Sequence, residues 1–160
     1  MADSNAIGDR GESIFCSRIT EHYMFSVHFL GEKAPYVDFL LEVKDPKKSY
    51  FFMVQVKSTE RGYDSNGNLK VAVSTTKYRE LVKKPMPTYV AGVDNKSETV
   101  YLCSAFADKK YVSSMPTKHS LKQSRKVTSK KTLELLKKDV MDYWNHSKHG
   151  SYKKKFKSNL

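Results

Sequence analysis

The stretch "FFMVQVKST", residues 51–59, reads as a strand from the middle of a sheet, yet it carries a glutamine and a lysine two places apart. Strand side chains alternate between faces, so Gln55 and Lys57 lie beside Phe51 and Met53, while Phe52, Val54 and Val56 occupy the other face. An ammonium group is seldom buried without a partner. Either the strand runs at a sheet edge, or this face borders a polar site.

Working outward, "YVDFLLEV" (36–43) follows Pro35 and sets Val37, Phe39, Leu41 and Val43 against Asp38, Leu40 and Glu42. The turn "KDPKKS" (44–49) joins it to the opening stretch as an antiparallel hairpin. Before it, "MFSVHFL" (24–30) alternates as a strand in which His28 is a packing residue. Residues from Asn5 to Tyr23 read as a helix capped by Ser4 or Asn5, with Gly8, Glu12, Phe15, Cys16 and Ile19 on one side. Downstream, "YDSNGN" (63–68) holds Asn66-Gly67, a hairpin-turn signal, and "LKVAVS" (69–74) reads as another strand. Ser74, Thr75 or Thr76 caps a short helix through "KYRELVKK" (77–84), which Pro85 and Pro87 close. "TYVAGV" (88–93) and "TVYLCSA" (99–105) give two further strands around a polar turn. The order is helix, three or four strands, helix, two strands, which predicts an α/β (α+β) domain with a mixed central sheet flanked by helices.

The charge divides the chain. Residues 1–107 hold 14 Lys+Arg against 13 Asp+Glu, a net of +1, while residues 108–160 hold 15 against 4 and so carry +11 of the total +12. Residues 1–107 therefore read as the domain and 108–160 as a basic C-terminal extension. Within it, 108–131 reads as a linker, Leu133, Leu136, Val140, Tyr143 and Trp144 mark one amphipathic helix from Thr132 to Asn145, and 149–160 reads as a frayed end. Such a block of lysines suits a polyanion, because each lysine near a phosphate releases counterions; the alternative is a solubilising tail. No apolar run approaches the ~18 residues of a membrane span, and the N-terminus is too polar for a secretory signal, so the expected location is cytoplasmic. Cys16 and Cys103 have no metal-binding spacing and are expected reduced and buried.

Four polar residues fit their surroundings poorly: Glu12, Asp38, Gln55 and Lys57. On the hairpin reading, Asp38 near the start of one strand converges with Gln55 and Lys57 near the end of its neighbour, and Glu12 approaches if the first helix packs across that end. Two carboxylates and an amide oxygen are hard ligands of the kind Mg²⁺ accepts, and a lysine can orient or deprotonate water. The structural alternative pairs Lys57 with Asp38 or Glu12 as an ion pair. Glu42 shares the face of Asp38 but lies about 7 Å further along. His146 and His149 lack a third ligand, and Tyr143 with Trp144 reads as core rather than a base-stacking pair.

At these residues the chain resembles the PD-(D/E)XK nuclease superfamily, whose site reads Asp, a variable gap, then (Glu/Asp/Gln)-x-Lys, often with a Glu from the first helix. Asp38 matches the aspartate, "QVK" from Gln55 to Lys57 the second element, and Glu12 in "GDRGESIF" the helix glutamate. More narrowly, "GESIF", "VDFLLEV", "VQVKST" and "YRELVKKPMPTYVAGVD" resemble an uncharacterised bacterial domain family in that superfamily. Pro35 stands three places before Asp38 instead of adjacent to it. The resemblance, over residues 7–105, implies a restriction-endonuclease-like core and a metal-dependent endonuclease hydrolysing DNA. It also implies Asp38, Gln55 and Glu12 as ligands of Mg²⁺ (or Mn²⁺) and Lys57 as the water-activating group. Lys122, Arg125, Lys126, Lys130 and Lys131 of the extension would hold phosphates of the DNA. Double-strand cutting by one small site would call for a homodimer or a partner protein. The rival expectations are a non-catalytic nucleic-acid-binding module or accessory subunit that keeps the fold, and an RNA-binding protein.

Overall fold

The computed structural model describes residues 3–30, 34–107, 112–124, 127–147 and 156–160. A six-stranded mixed sheet carries helices on both faces. Helix α1 (Ser4–Thr20) leads into β1 (Phe25–Phe29), β2 (Phe39–Val43) and β3 (Tyr50–Thr59), an antiparallel meander in which Phe25 pairs with Val43 and Phe39 with Val54. Helix α2 (Thr75–Val82) crosses over to β4 (Thr88–Asp94), which lies parallel to β3 with Gln55 opposite Val90. Strands β5 (Thr99–Ser104) and β6 (Ser120–Leu121) extend the sheet antiparallel, in the order β1-β2-β3-β4-β5-β6. A two-residue ribbon, β7 (Gln123–Ser124) with β8 (Val127–Thr128), precedes α3 (Lys130–Ser147). Among the described residues no helix is long and apolar enough to cross a membrane.

The alternation read from the sequence decides which side each residue faces. Phe39, Leu41, Phe52, Val54, Tyr89, Ala91 and Val93 build one core under α1 and α3, while Val90, Tyr101 and Cys103 point to a second core under α2. Phe52 stands at the centre of the first, edge-on to Phe25 at 5.4 Å and to Tyr89 at 5.8 Å. Pairs of this geometry add about 0.5–1.5 kcal/mol each beyond their burial. β4 is buried along its whole length, as a strand covered on both faces must be.

Several expectations need correction. Asp3, not Ser4 or Asn5, caps α1, its carboxylate accepting from Asn5 N at 3.2 Å. The buried side of that helix holds Gly11, Ile14, Phe15, Arg18 and Ile19, and Arg18 is answered by the carbonyl and carboxylate of Glu98, each at 3.2 Å. His28 is exposed on the edge strand β1 rather than packed. Val37 lies with the second core, across the sheet from Phe39, because the chain turns at Asp38 before β2 begins. "LKVAVS" alternates as read, burying Leu69, Val71 and Val73, but forms only isolated bridges from Leu69 to Tyr63 and Met115. The Asn66-Gly67 turn is present, with Gly67 at φ +77° and Gly67 N donating to Asp64 O at 3.0 Å.

The basic extension shares the first core. Leu133, Leu136, Val140 and Leu160 all belong to it, Trp144 Nε1 donates to Phe51 O at 2.8 Å, and Tyr143 is buried. The expected linker supplies β6 and the buried Met115. The final residues are not frayed: Phe156 is buried, and Ser158 Oγ and Asn159 N donate to the fully buried Asp139 at 2.8 and 2.7 Å. Tyr89 OH donates to the same carboxylate at 2.7 Å, so a charge with no exposure is satisfied from three directions.

Candidate active site

Strand β2 starts opposite Val54, but β3 continues to Thr59 with β4 on one side and, among the described residues, no strand on the other. Asp38 occupies the point where the two part. Its N donates to Val54 O at 3.0 Å and its carbonyl accepts from Leu30 N at 2.9 Å, so the backbone is tied to both neighbouring strands. Ahead of it Val37 N donates to Ala34 O at 3.2 Å, closing a turn with Pro35 second and Tyr36 third at φ +67°, the pattern of a type II turn. Pro35 thus aims the aspartate from three positions away.

The Asp38 carboxylate turns into the gap in place of the missing strand. Oδ2 accepts from Val56 N and from Gln55 Nε2, both at 2.6 Å. The Gln55 amide, almost fully buried, also donates to Val56 O at 3.3 Å. Asp38 and Gln55 therefore share a face and touch. Lys57, half-buried, stands one pleat further along the same face.

Helix α1 reaches this point from the other side of the sheet. Ile7 O accepts from Ser58 Oγ at 2.9 Å and from Asn95 Nδ2 at 3.0 Å, fixing the helix over the end of β3. Gly11 lies directly on Ser58: a Cβ there would press on Ser58 Cβ and stand 2.6 Å from its Oγ. That approach lets Glu12, half-buried, line one groove of about 830 Å³ together with Asp38, Gln55 and Lys57. Asp38, Gln55 and Lys57 also line an open recess of about 460 Å³, together with Tyr36 and Lys77 of α2.

The electrostatics follow from the crowding. Burial, and then the charges of Asp38 and Asp9, hold the Glu12 carboxyl above its ordinary value. Burial also raises Asp38, although the Val56 N–H, Lys57, Gln55 and Lys77 all pull the other way. Lys57 is held below the ordinary lysine value by burial first and by Lys77, whose amine is within hydrogen-bonding reach, against the opposing pull of Asp38.

The donor set suits a hard divalent cation. Two desolvated carboxylates repel each other across the groove, and a cation between them relieves both costs. Asp38 Oδ1 and Gln55 Oε1 make no hydrogen bond among the described residues, which leaves two oxygens for a ligand. No group of three His, Cys, Asp or Glu side chains fit for a metal exists among the described residues; a site here would add the Gln55 amide oxygen to the two carboxylates.

The other candidates fall elsewhere. Glu42 pairs in register with Ser26 and Phe51 and does not line the groove. Cys103 is buried and Cys16 half-buried, both free. His146 Nδ1 lies 2.7 Å from Asp142 O, and His149 is outside the described residues. Of the extension's cations, Lys122, Lys130 and Lys131 are exposed, Lys130 facing Glu134 at 3.7 Å, while Arg125 and Lys126 lie outside the described residues. β6 is level with the site, Tyr101 joining Ser120 to Gly92 and Lys57, but three strand spacings away, about 14 Å.

Sequence reading missed Lys77. Its signal was present: Ser74 caps α2 by accepting from Lys77 N at 3.2 Å, which puts a cation in the first helical turn, where the helix dipole favours an anion. It also missed Arg61, Lys70 and Lys96, which line the groove beyond Lys57. They are scattered in sequence and only the fold gathers them.

No protein-family profile and no curated protein matches the chain. Among solved structures the fold matches that of a bacterial homing endonuclease, I-Ssp6803I, with a TM-score of 0.60 at 16% identity, over 91% of this chain and 99% of that one. The two chains share an α+β fold built on a mixed sheet.

Proposed function

We propose that the protein is a metal-dependent DNA endonuclease of the PD-(D/E)XK type. The observation that carries this reading is the meeting of Glu12, Asp38, Gln55 and Lys57 in one groove where β2 and β3 part. The likeness of fold to a protein described as a bacterial homing endonuclease supports it. Asp38, Gln55 and Glu12 would hold Mg²⁺ or Mn²⁺, which when bound polarises a phosphoryl oxygen and acidifies water. Asp38 is anchored by the Val56 N–H, so its free oxygen is presented without loss of position. Lys57, with its lowered proton affinity, takes the proton of the attacking water as the water oxygen bonds to phosphorus and the ester P–O bond breaks. Lys122, Lys130 and Lys131, with Arg125 and Lys126, would add sequence-independent phosphate contacts. Cutting both strands would require two copies of the site.

Plasmid DNA incubated with Mg²⁺ or Mn²⁺ tests the reading. The unaltered protein is expected to cut, and Lys57→Ala to lose roughly 10²–10⁴-fold in rate. Cutting at full rate by that variant would refute the assignment. One observation favours a second reading, a DNA-binding module that does not hydrolyse: the Gln55 amide gives its N–H to Asp38 and stands in for an acid at the site. Calorimetry with Mn²⁺ separates the two, since the module predicts no binding that is lost in Asp38→Asn.

A further inference from the structure

Only one end of the 830 Å³ groove is occupied by the four residues discussed above. The rest runs on between two walls, the start of α1 at Ser4, Ile7 and Gly8 and the extended segment Lys70–Ala72, over the end of β3. A Cβ on Gly8 would meet nothing within 4 Å, so that wall is open. Three cations line this arm, Arg61, Lys70 and Lys96, against one carboxylate, Glu60. Arg61 and Lys96 are exposed and Lys70 half-buried, and none of the three forms an ion pair among the described residues. Other exposed lysines do find carboxylates: Lys83 pairs with Glu80 at 2.7 Å and Lys138 with Asp142 at 2.6 Å. Three unpaired cations along a concave channel that ends on two carboxylates, an amide and a lysine suit a polyanion better than a solubilising surface would.

We propose that Arg61, Lys70 and Lys96 form a phosphate track that holds the DNA strand on one side of the bond placed at Lys57. The track rests on the nuclease reading for its substrate, but its binding does not need hydrolysis. Lys70, half-buried, is the inner contact, and the exposed Arg61 and Lys96 are the outer ones. The extension touches this wall where Met115 bridges to Leu69, but the extension cations named above follow β6, three strands away from β3.

The test is fluorescence anisotropy with a duplex oligonucleotide in EDTA, across a range of salt, for the unaltered protein and for the triple variant Arg61→Ala/Lys70→Ala/Lys96→Ala. Each lost phosphate contact removes about 0.9 from the slope of log affinity against log salt, so the triple variant should lose about 2.7. A control, Lys47→Ala/Lys48→Ala/Lys83→Ala, removes the same charge. Lys47 and Lys48 precede Tyr50 at the other end of β3, about 30 Å from Thr59, so the control should keep the slope. Equal slopes for the two triple variants overturn the track. Each single variant, checked by thermal unfolding, should lose about a third of the effect if folding of the triple fails. A protein that never cuts but shows the slope loss keeps the track and loses only the hydrolytic reading. One that cuts through Lys57 with an unchanged slope loses only the track. No salt-dependent DNA binding at all, or tighter binding of duplex RNA, overturns the track together with its substrate.

Discussion

Lys57 and Lys77 bring two amines together in a recess whose other polar walls are Asp38 and Gln55. Two ammonium groups at that range repel, so the neighbour makes it easier for Lys57 to stay neutral, and a neutral amine is what a base requires. The rate of DNA cleavage should rise with pH and level off below the ordinary lysine value of 10.5. Lys77→Met removes one of the two named causes of the depression and leaves burial. Its rising limb should shift to higher pH, with the rate lowered at pH 7 and regained near pH 10, a pattern that simple loss of packing cannot produce. A pH–rate profile of both proteins checks this; coincident limbs would exclude Lys77 as a positioning residue. The residues at this scale were unequally legible. Asp38, Gln55 and Lys57 stood out because strand alternation puts polar groups where apolar ones belong. Lys77 sits in a helical turn where lysine is common enough on surfaces to pass unnoticed.

Helix α1 meets strand β3 closely at Gly11, which lies against the Cβ and Oγ of Ser58. A methyl group there has no room, and the obstacle begins at the Ser58 Cβ, which cannot rotate away, so Gly11→Ala must lift the helix from the sheet. The expected cost is about 1–3 kcal/mol in urea unfolding. Because Glu12 rides on the same turn, catalysis should fall further than the loss of folded protein accounts for. Ser58→Gly, although it gives up the bond to Ile7 O, vacates the space; combined with Gly11→Ala it should recover most of the stability. A double variant no more stable than Gly11→Ala alone would mean that the helix is held elsewhere. Elements were the most legible level. β1 to β5 and the three helices of the described residues were foreseen: the helices, β2 and β3 bury a helical or alternating stripe, while β4 and β5 are apolar runs buried along their length. "LKVAVS" failed because alternation reports burial on two sides, not hydrogen bonding to a neighbour: the segment packs Leu69, Val71 and Val73 into the second core while remaining outside the ladder.

Across the whole molecule, Asp139 links the first core to the last residues of the chain. Its carboxylate is fully buried and takes bonds from Tyr89, Ser158 and Asn159, and burial together with that negative charge pushes the Tyr89 phenol far up. Removing residues 156–160 would leave a buried charge with only Tyr89, and such losses cost about 3–5 kcal/mol. Urea unfolding should show this, and Asp139→Asn in the shortened chain should return part of it. A shortened chain as stable as the full one would exclude the clasp. Composition hid this arrangement. The lysines that surround Phe156 and Leu160 suggest a solvated end, and nothing in spacing connects them to an aspartate twenty residues earlier.

The divergence of β2 and β3 also has a bearing on synthesis. Glu12, Asp38, Gln55, Lys57 and Lys77 have all been added by residue 77, whereas β4 beside β3, helix α3 and the residues that clasp Asp139 all follow. A copy caught halfway off the ribosome thus carries those groups without the frame that brings them together, and on the nuclease reading it could not yet cut.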